Sequence, residues 1–93
     1  MKTLKDFKFD EDRKSCYIGD EEILLTKTEY NLLNHFISNK NKVLNRREIA
    51  LATWPFRVSD RTVDAAVSRL RKRLGDIGMF IKTRVGFGYG LFE

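Results

Sequence analysis

Two helix starts of the same design restrict this chain more than any other feature. Thr26-Lys-Thr-Glu29 and Asn45-Arg-Arg-Glu48 each place a short polar side chain three residues before a glutamate. At that spacing the first side chain can accept a bond from a free amide of the opening turn while the glutamate reaches back to the cap. Apolar pairs, Leu25 with Tyr30 and Leu44 with Ile49, flank the caps at the spacing that clamps the incoming chain against the helix. Beyond the first start, Tyr30, Leu33, Phe36 and Ile37 recur at helical intervals and predict a core-facing stripe. That helix should run out by Asn39, where Asn39-Lys-Asn-Lys42 reads as a turn. The second helix continues through Ile49 to Trp54, and Pro55 stops it.

A third helix is expected after the short loop Pro55 to Ser59, over about Asp60 to Leu74. Ser59 or Asp60 supplies its cap and Gly75 ends it. Val63, Val67, Leu70 and Leu74 are spaced four, three and four apart and form one stripe. Arg61, Ala65, Ser68, Arg69 and Lys72 then lie on roughly the opposite face. Ahead of the helices, Phe7 and Phe9, then Cys16 to Ile18, then Ile23 to Leu25 read as short strands. Asp10-Glu-Asp-Arg13 and Gly19-Asp-Glu21 turn between them. Phe80 to Glu93 alternates and turns through Gly86-Phe-Gly88, the pattern of a β-hairpin. The expected class is α+β in one domain over 1–93: an antiparallel sheet in 1–25, three helices in 26–75 and a hairpin in 80–93.

Charge narrows the function. The first 25 residues carry five Lys/Arg against seven Asp/Glu, a net of −2, whereas the rest carry thirteen against six, a net of +7. A neutral-to-acidic front and a basic rear suit one face built for a polyanion. The basic excess is sharpest from Ser59 to Gly75, with five basic and two acidic side chains. Both acids, Asp60 and Asp64, read as first-turn residues that favour the positive end of the helix. On the outward face, small Ala65 and Ser68 would let a helix approach base edges, and Arg69 can give two parallel bonds to a guanine. Arg61, Thr62, Arg71 and Lys72 flank that patch and can hold phosphates. A helix, a short turn, a basic helix and a glycine-rich hairpin together make a winged helix-turn-helix layout.

At the same places the residues resemble a family. Leu25-Thr-Lys-Thr-Glu-Tyr-Asn-Leu-Leu33, Arg47-Glu48 to Trp54, Asp60-Arg-Thr-Val-Asp64, Arg69-Leu-Arg-Lys-Arg-Leu74 and Gly86-Phe-Gly-Tyr89 look like the C-terminal winged-helix DNA-binding (effector) domain of OmpR/PhoB-type response regulators. The resemblance covers nearly the whole chain in order. It implies a four-stranded N-terminal sheet, three helices and a wing, binding to direct-repeat DNA in tandem, and regulation of transcription in a two-component system. It places Arg46 and Trp54 on backbone phosphates, Trp54 also packed against the core. Arg61, Thr62 and Arg71 would do the same around the groove, Arg69 would contact bases, and Thr83 and Tyr89 would touch phosphates from the wing. It further implies RNA polymerase as a partner of the Pro55–Ser59 loop, and a receiver domain and sensor kinase if the chain is part of a longer protein.

Three departures mark this chain. The family commonly has Thr, an aliphatic residue and then a minor-groove Arg before the wing glycine; here the order is Thr83-Arg84-Val85-Gly86. One position along a strand changes the face, so Arg84 is expected to point elsewhere. The loop before the third helix is about two residues shorter than usual, and Ala66 and Ser68 stand where relatives often carry larger polar or basic side chains.

Other chemistries find little support. One histidine, His35, and one cysteine, Cys16, cannot supply a zinc site of roughly four ligands. His35 reads as a surface helix residue and Cys16 as a packed strand residue. No cofactor, metal or enzymatic activity is expected. Neither a signal peptide nor an apolar run of the ~20 residues a membrane helix needs is present, so a reducing cytoplasm fits. A winged-helix protein–protein module is the alternative, against which the basic third helix argues. Single-strand or RNA binding would call for exposed aromatics among the basic residues, and that helix has none.

Overall fold

The computed structural model describes residues 4–93. Its first sheet contains strands β1 (Phe7–Asp10), β2 (Ser15–Ile18) and β3 (Glu21–Leu24), antiparallel in sequence order. Phe7 faces Ile18 and Phe9 faces Cys16, which in turn faces Ile23. Directly opposed residues share a face, so this register gathers the apolar side chains of the front on one side, against the core. The resemblance implied four strands; three lie among the described residues, and residues 1–3 of the expected sheet region fall outside them. The β1–β2 turn is tied by the Arg13 amide donating to Asp10 Oδ1 at 3.0 Å. Burial pushes the Cys16 thiol up to about 11, which keeps it protonated and inert.

Helix α1 spans Lys27–Ser38 and begins with the full reciprocal cap. The Glu29 amide donates to Thr26 Oγ1 at 3.2 Å, and the Thr26 amide donates to Glu29 Oε1 at 2.9 Å. Its buried residues are Leu32, Leu33 and Phe36. Leu32 was outside the expected stripe, while Tyr30 is only half-buried and stacks on Phe9 with ring centroids 5.2 Å apart. The stripe is wider than four positions because α1 touches both the sheet and the other helices. Asn39 ends the helix, its side-chain amide donating to the His35 carbonyl at 2.9 Å. His35 itself is half-buried rather than a surface residue, with Nε2 out of solvent.

Helix α2 covers Arg46–Thr53 under an Asn45 cap. Here the glutamate reaches the cap side chain: Asn45 Nδ2 donates to Glu48 Oε1 at 2.8 Å while the Glu48 amide donates to Asn45 Oδ1 at 2.8 Å. Helix α3 covers Asp60–Leu74, capped by Ser59 and ended by Gly75 at φ 56. Val63, Val67, Leu70 and Leu74 are all buried, joined by Ala66 at 7% exposure. Ala66 therefore belongs to the packing against α1, and it lines the groove beside Arg69 rather than the centre of the outward face.

A tight 3-10 segment, Gly75–Phe80, leads from α3 into the hairpin β4 (Ile81–Arg84) and β5 (Gly88–Leu91). At the turn Phe87 donates its amide to the Arg84 carbonyl at 2.9 Å, with Gly86 at φ 83. That is the position of a type II turn where glycine is favoured. The hairpin is anchored to the helices by a backbone bridge between Leu44 and Tyr89, with bonds of 2.7 and 3.0 Å. Gly88 makes the approach possible: a Cβ there would lie 2.0 Å from the Leu44 carbonyl oxygen.

Candidate nucleic-acid interface

With its buried stripe fixed, α3 turns its other side to solvent. Arg61, Ser68, Arg69 and Lys72 are exposed and Ala65 is half-buried. The ~100° step per residue puts Arg61, Ala65, Ser68 and Lys72 along the centre of that face. Arg69 lies to one edge, beside a groove lined by Thr26, Thr28, Glu29, Trp54 and Thr62. None of Arg61, Arg69 and Lys72 has a hydrogen bond or ion pair among the described residues. Thr62 is exposed, its hydroxyl 3.2 Å from that of Ser59. Trp54 is half-buried and packs against the core.

The other edge of α3 is closed by an interlocked cluster. Asp64 Oδ1 accepts from Arg46 Nε at 2.7 Å and from the Tyr89 hydroxyl at 2.6 Å. Arg71 donates from Nε to the Ile81 carbonyl at 3.0 Å and from Nη2 to Thr83 Oγ1 at 2.7 Å. Both guanidinium groups lie over the Tyr89 ring, 5.6 Å (Arg46) and 5.4 Å (Arg71) from its centroid. The structure thus brings together Arg46, Arg71, Thr83 and Tyr89, four candidates from three separate segments. It ties α2, α3 and the hairpin into one rigid edge.

Electrostatics follow the geometry. The Arg46 bond, then that of Tyr89, holds the Asp64 carboxyl below its usual range, and Asp64 in turn raises Arg46. Burial, reinforced by the bond to Asp64, pushes the Tyr89 phenol up, so it remains a donor. Asp64 is the residue that sequence reasoning missed. It sits in the second turn of α3, since only Asp60 is in the first, and its partners lie 18 and 25 residues away. Its closest sequence signal was an acid in the middle of a basic helix.

Arg84 stands apart. Thr83 points toward Arg71, so its strand neighbour Arg84 lies on the other face of β4, exposed and opposite Gly88. At the tip, Val85 is 89% exposed and Phe87 68%. A second apolar patch is formed by Leu51 and Phe56 beside Arg47 and Arg57, around the loop that joins α2 to α3.

The family of transcriptional regulatory protein C-terminal domains matches residues 20–91. The chain belongs to this family. It is a C-terminal effector domain of the OmpR/PhoB response-regulator type. The DNA-binding domain of the response regulator AdeR, solved in complex with an intercistronic region, superposes on this effector domain with a TM-score of 0.86. The two are 35% identical, and 99% of each chain is covered. DrrB of Thermotoga maritima, an OmpR/PhoB homologue, superposes at 0.84 with 31% identity, over 95% of this chain and 42% of its own. The response regulator GraR of Staphylococcus aureus is 42% identical over 95 residues, 98% of this chain and 42% of GraR. The effector domain thus spans less than half the length of that relative. No described helix is long and apolar enough to cross a membrane.

Proposed function

We propose that this effector domain regulates transcription by placing the outward face of α3 in the major groove of double-stranded DNA. The observation that carries the reading is that Arg61, Ser68, Arg69 and Lys72 are exposed there, the three basic ones without partners among the described residues. Small Ala65 and Ser68 leave room for base edges, and Arg69 can read a guanine through O6 and N7. Arg61, Thr62, Lys72 and the Arg46–Arg71 edge hold phosphates and set the register. AdeR, seen with an intercistronic region, supports DNA as the ligand. The sites are direct repeats bound in tandem. In the wing, Thr83 and Tyr89 face inward to Asp64 and Arg71, and Arg84 reaches DNA from the outer face of β4.

In the longer protein that GraR's length suggests, a receiver domain and sensor kinase control this domain in the cytoplasm. RNA polymerase is the partner of the Pro55–Ser59 loop. Exposed Leu51 and Phe56, with Arg47 and Arg57 beside them, support a protein contact at that loop.

The test compares a duplex selected from a random library with a scrambled one. Arg69→Ala should cost about 1–3 kcal/mol on the selected duplex and much less on the scrambled one. Equal losses on both would remove Arg69 from base reading. Exchanging Arg84 and Val85 should strengthen binding to A·T-rich flanks, because the guanidinium then comes to the tip. No gain would mean that the present order already serves the groove.

A further inference from the structure

A carboxylate beside a surface built for a polyanion needs a reason. Asp64 is 43% exposed, so it is not there to fill the core, and it lies beyond the first turn, where the helix dipole would favour it. By charge alone it repels phosphate and weakens binding. What it does in the structure is hold two groups at once on Oδ1, the Arg46 guanidinium and the Tyr89 hydroxyl.

The bond to Asp64 uses Arg46 Nε and leaves the outer edge of the fork pointing away from its anchor. Arg71 is pinned in the same manner, through Nε to a backbone carbonyl and Nη2 to Thr83. The Tyr89 ring lies under both guanidinium groups, and its hydroxyl is fixed by the same carboxylate oxygen. A long arginine otherwise loses much of its rotamer freedom when a ligand immobilises it. Pinning it beforehand removes part of that cost from the binding step.

We propose that Asp64 and Tyr89 are positioning residues that hold the forks of Arg46 and Arg71 ready for the phosphates bordering the groove. This rests on the major-groove reading given above. It predicts an effect opposite in sign to that of charge, because removing an acid from a DNA-facing edge should weaken binding.

The experiment is a double-mutant cycle on the full chain, read by fluorescence anisotropy on a short mixed-sequence DNA duplex over a range of salt. Asp64→Ala should weaken binding roughly eightfold near ~0.1 M salt and flatten the log–log salt slope by about 0.9, the loss of one phosphate contact. In an Arg46→Ala background the same change should cost far less or even tighten binding, since the repelling carboxylate goes while the only arginine bonded to it is already absent. Asp64→Asn, whose amide oxygen still accepts, should recover part of the loss. Tyr89→Phe keeps the ring and removes only the hydroxyl. It should move affinity and slope the same way as Asp64→Ala by a smaller amount, and it carries the comparison if Asp64→Ala does not fold. Tighter binding by Asp64→Ala in the otherwise wild-type chain, or an equal change in both backgrounds, would overturn the positioning role. Lys72→Ala, measured alongside, separates the two failures. If it still lowers the slope, only the positioning role has fallen; if it too has no effect, the groove reading has fallen with it.

Discussion

The two edges of α3 carry similar side chains in different states. Toward α1, Arg69 stands on the surface with no bond to hold it, whereas Arg73, one turn on, is fixed through Nε to Glu29 and through Nη2 to the Leu24 carbonyl; along the centre Arg61 and Lys72 are unheld like Arg69. Toward the wing, Arg46 and Arg71 are each fixed through Nε, stacked on Tyr89 and linked through Asp64 and Thr83. Side chains that must match a base pattern gain from being free to adjust. Those that meet a repeating phosphate gain from being set in advance. The contrast separates a fixed edge, where Arg46 and Arg71 are set for phosphates in advance, from a free face, where Arg69 is left to adjust to a base and Arg61 and Lys72 reach phosphates from unpinned side chains.

The comparison is broken most severely from beneath. Leu70 is fully buried under both edges, and Leu70→Ala should cost about 2–5 kcal/mol of stability, measured by urea unfolding. A loss below ~1 kcal/mol would mean that α3 is not the shared platform. Gly88→Ala attacks only the fixed edge, since φ 141 and the Leu44 carbonyl oxygen leave no room for a Cβ. It should cost at least ~1–3 kcal/mol, with hydrogen exchange speeding up first at Leu44 and β5. If exchange rose evenly through α1 as well, the wing would not be a separable part. Lys72→Ala tests the free face: binding to selected and scrambled duplexes should fall alike, with the salt slope flattened by about 0.9. A loss confined to the selected duplex would make Lys72 a base reader.

The smallest effect is set by pH and concerns the fixed edge alone. Asp64 titrates below its ordinary value of 3.8 in the folded protein, because Arg46 and Tyr89 bond its charged form. A lowered value means that the stabilisation is complete above 3.8 and is lost as pH falls through the folded value. Amide shifts around Tyr89 should therefore stay constant from neutral pH down to about that point and then move. Movement at Tyr89 near neutral pH would place some other group in control of the cluster.

How far each part was legible in the sequence depends on how local its cause is. The caps Thr26, Asn45 and Ser59 act within three residues, so helix starts could be read directly. The α3 stripe was legible for the same reason, as was the side of β4 on which Arg84 lies. Leu32 and Ala66 escaped because which side of a helix is covered depends on how many neighbours pack against it. Asp64 escaped for a stronger reason. Its partners come from α2 and from the wing, and only the folded chain, with Gly88 letting β5 meet Leu44, brings them to one oxygen. Tyr89 read as a phosphate contact, whereas it is 6% exposed and donates its hydroxyl inward.

The most direct test of base reading by α3 is methylation interference with dimethyl sulfate on the selected duplex. The reagent marks guanine N7 in the major groove and adenine N3 in the minor groove, so it reports which groove is read. Methylation of one guanine N7 should block the wild-type domain and should no longer penalise Arg69→Ala, whose missing side chain has nothing left to lose there. Interference at that guanine of equal strength in both proteins, or interference at adenine N3 alone, would contradict it.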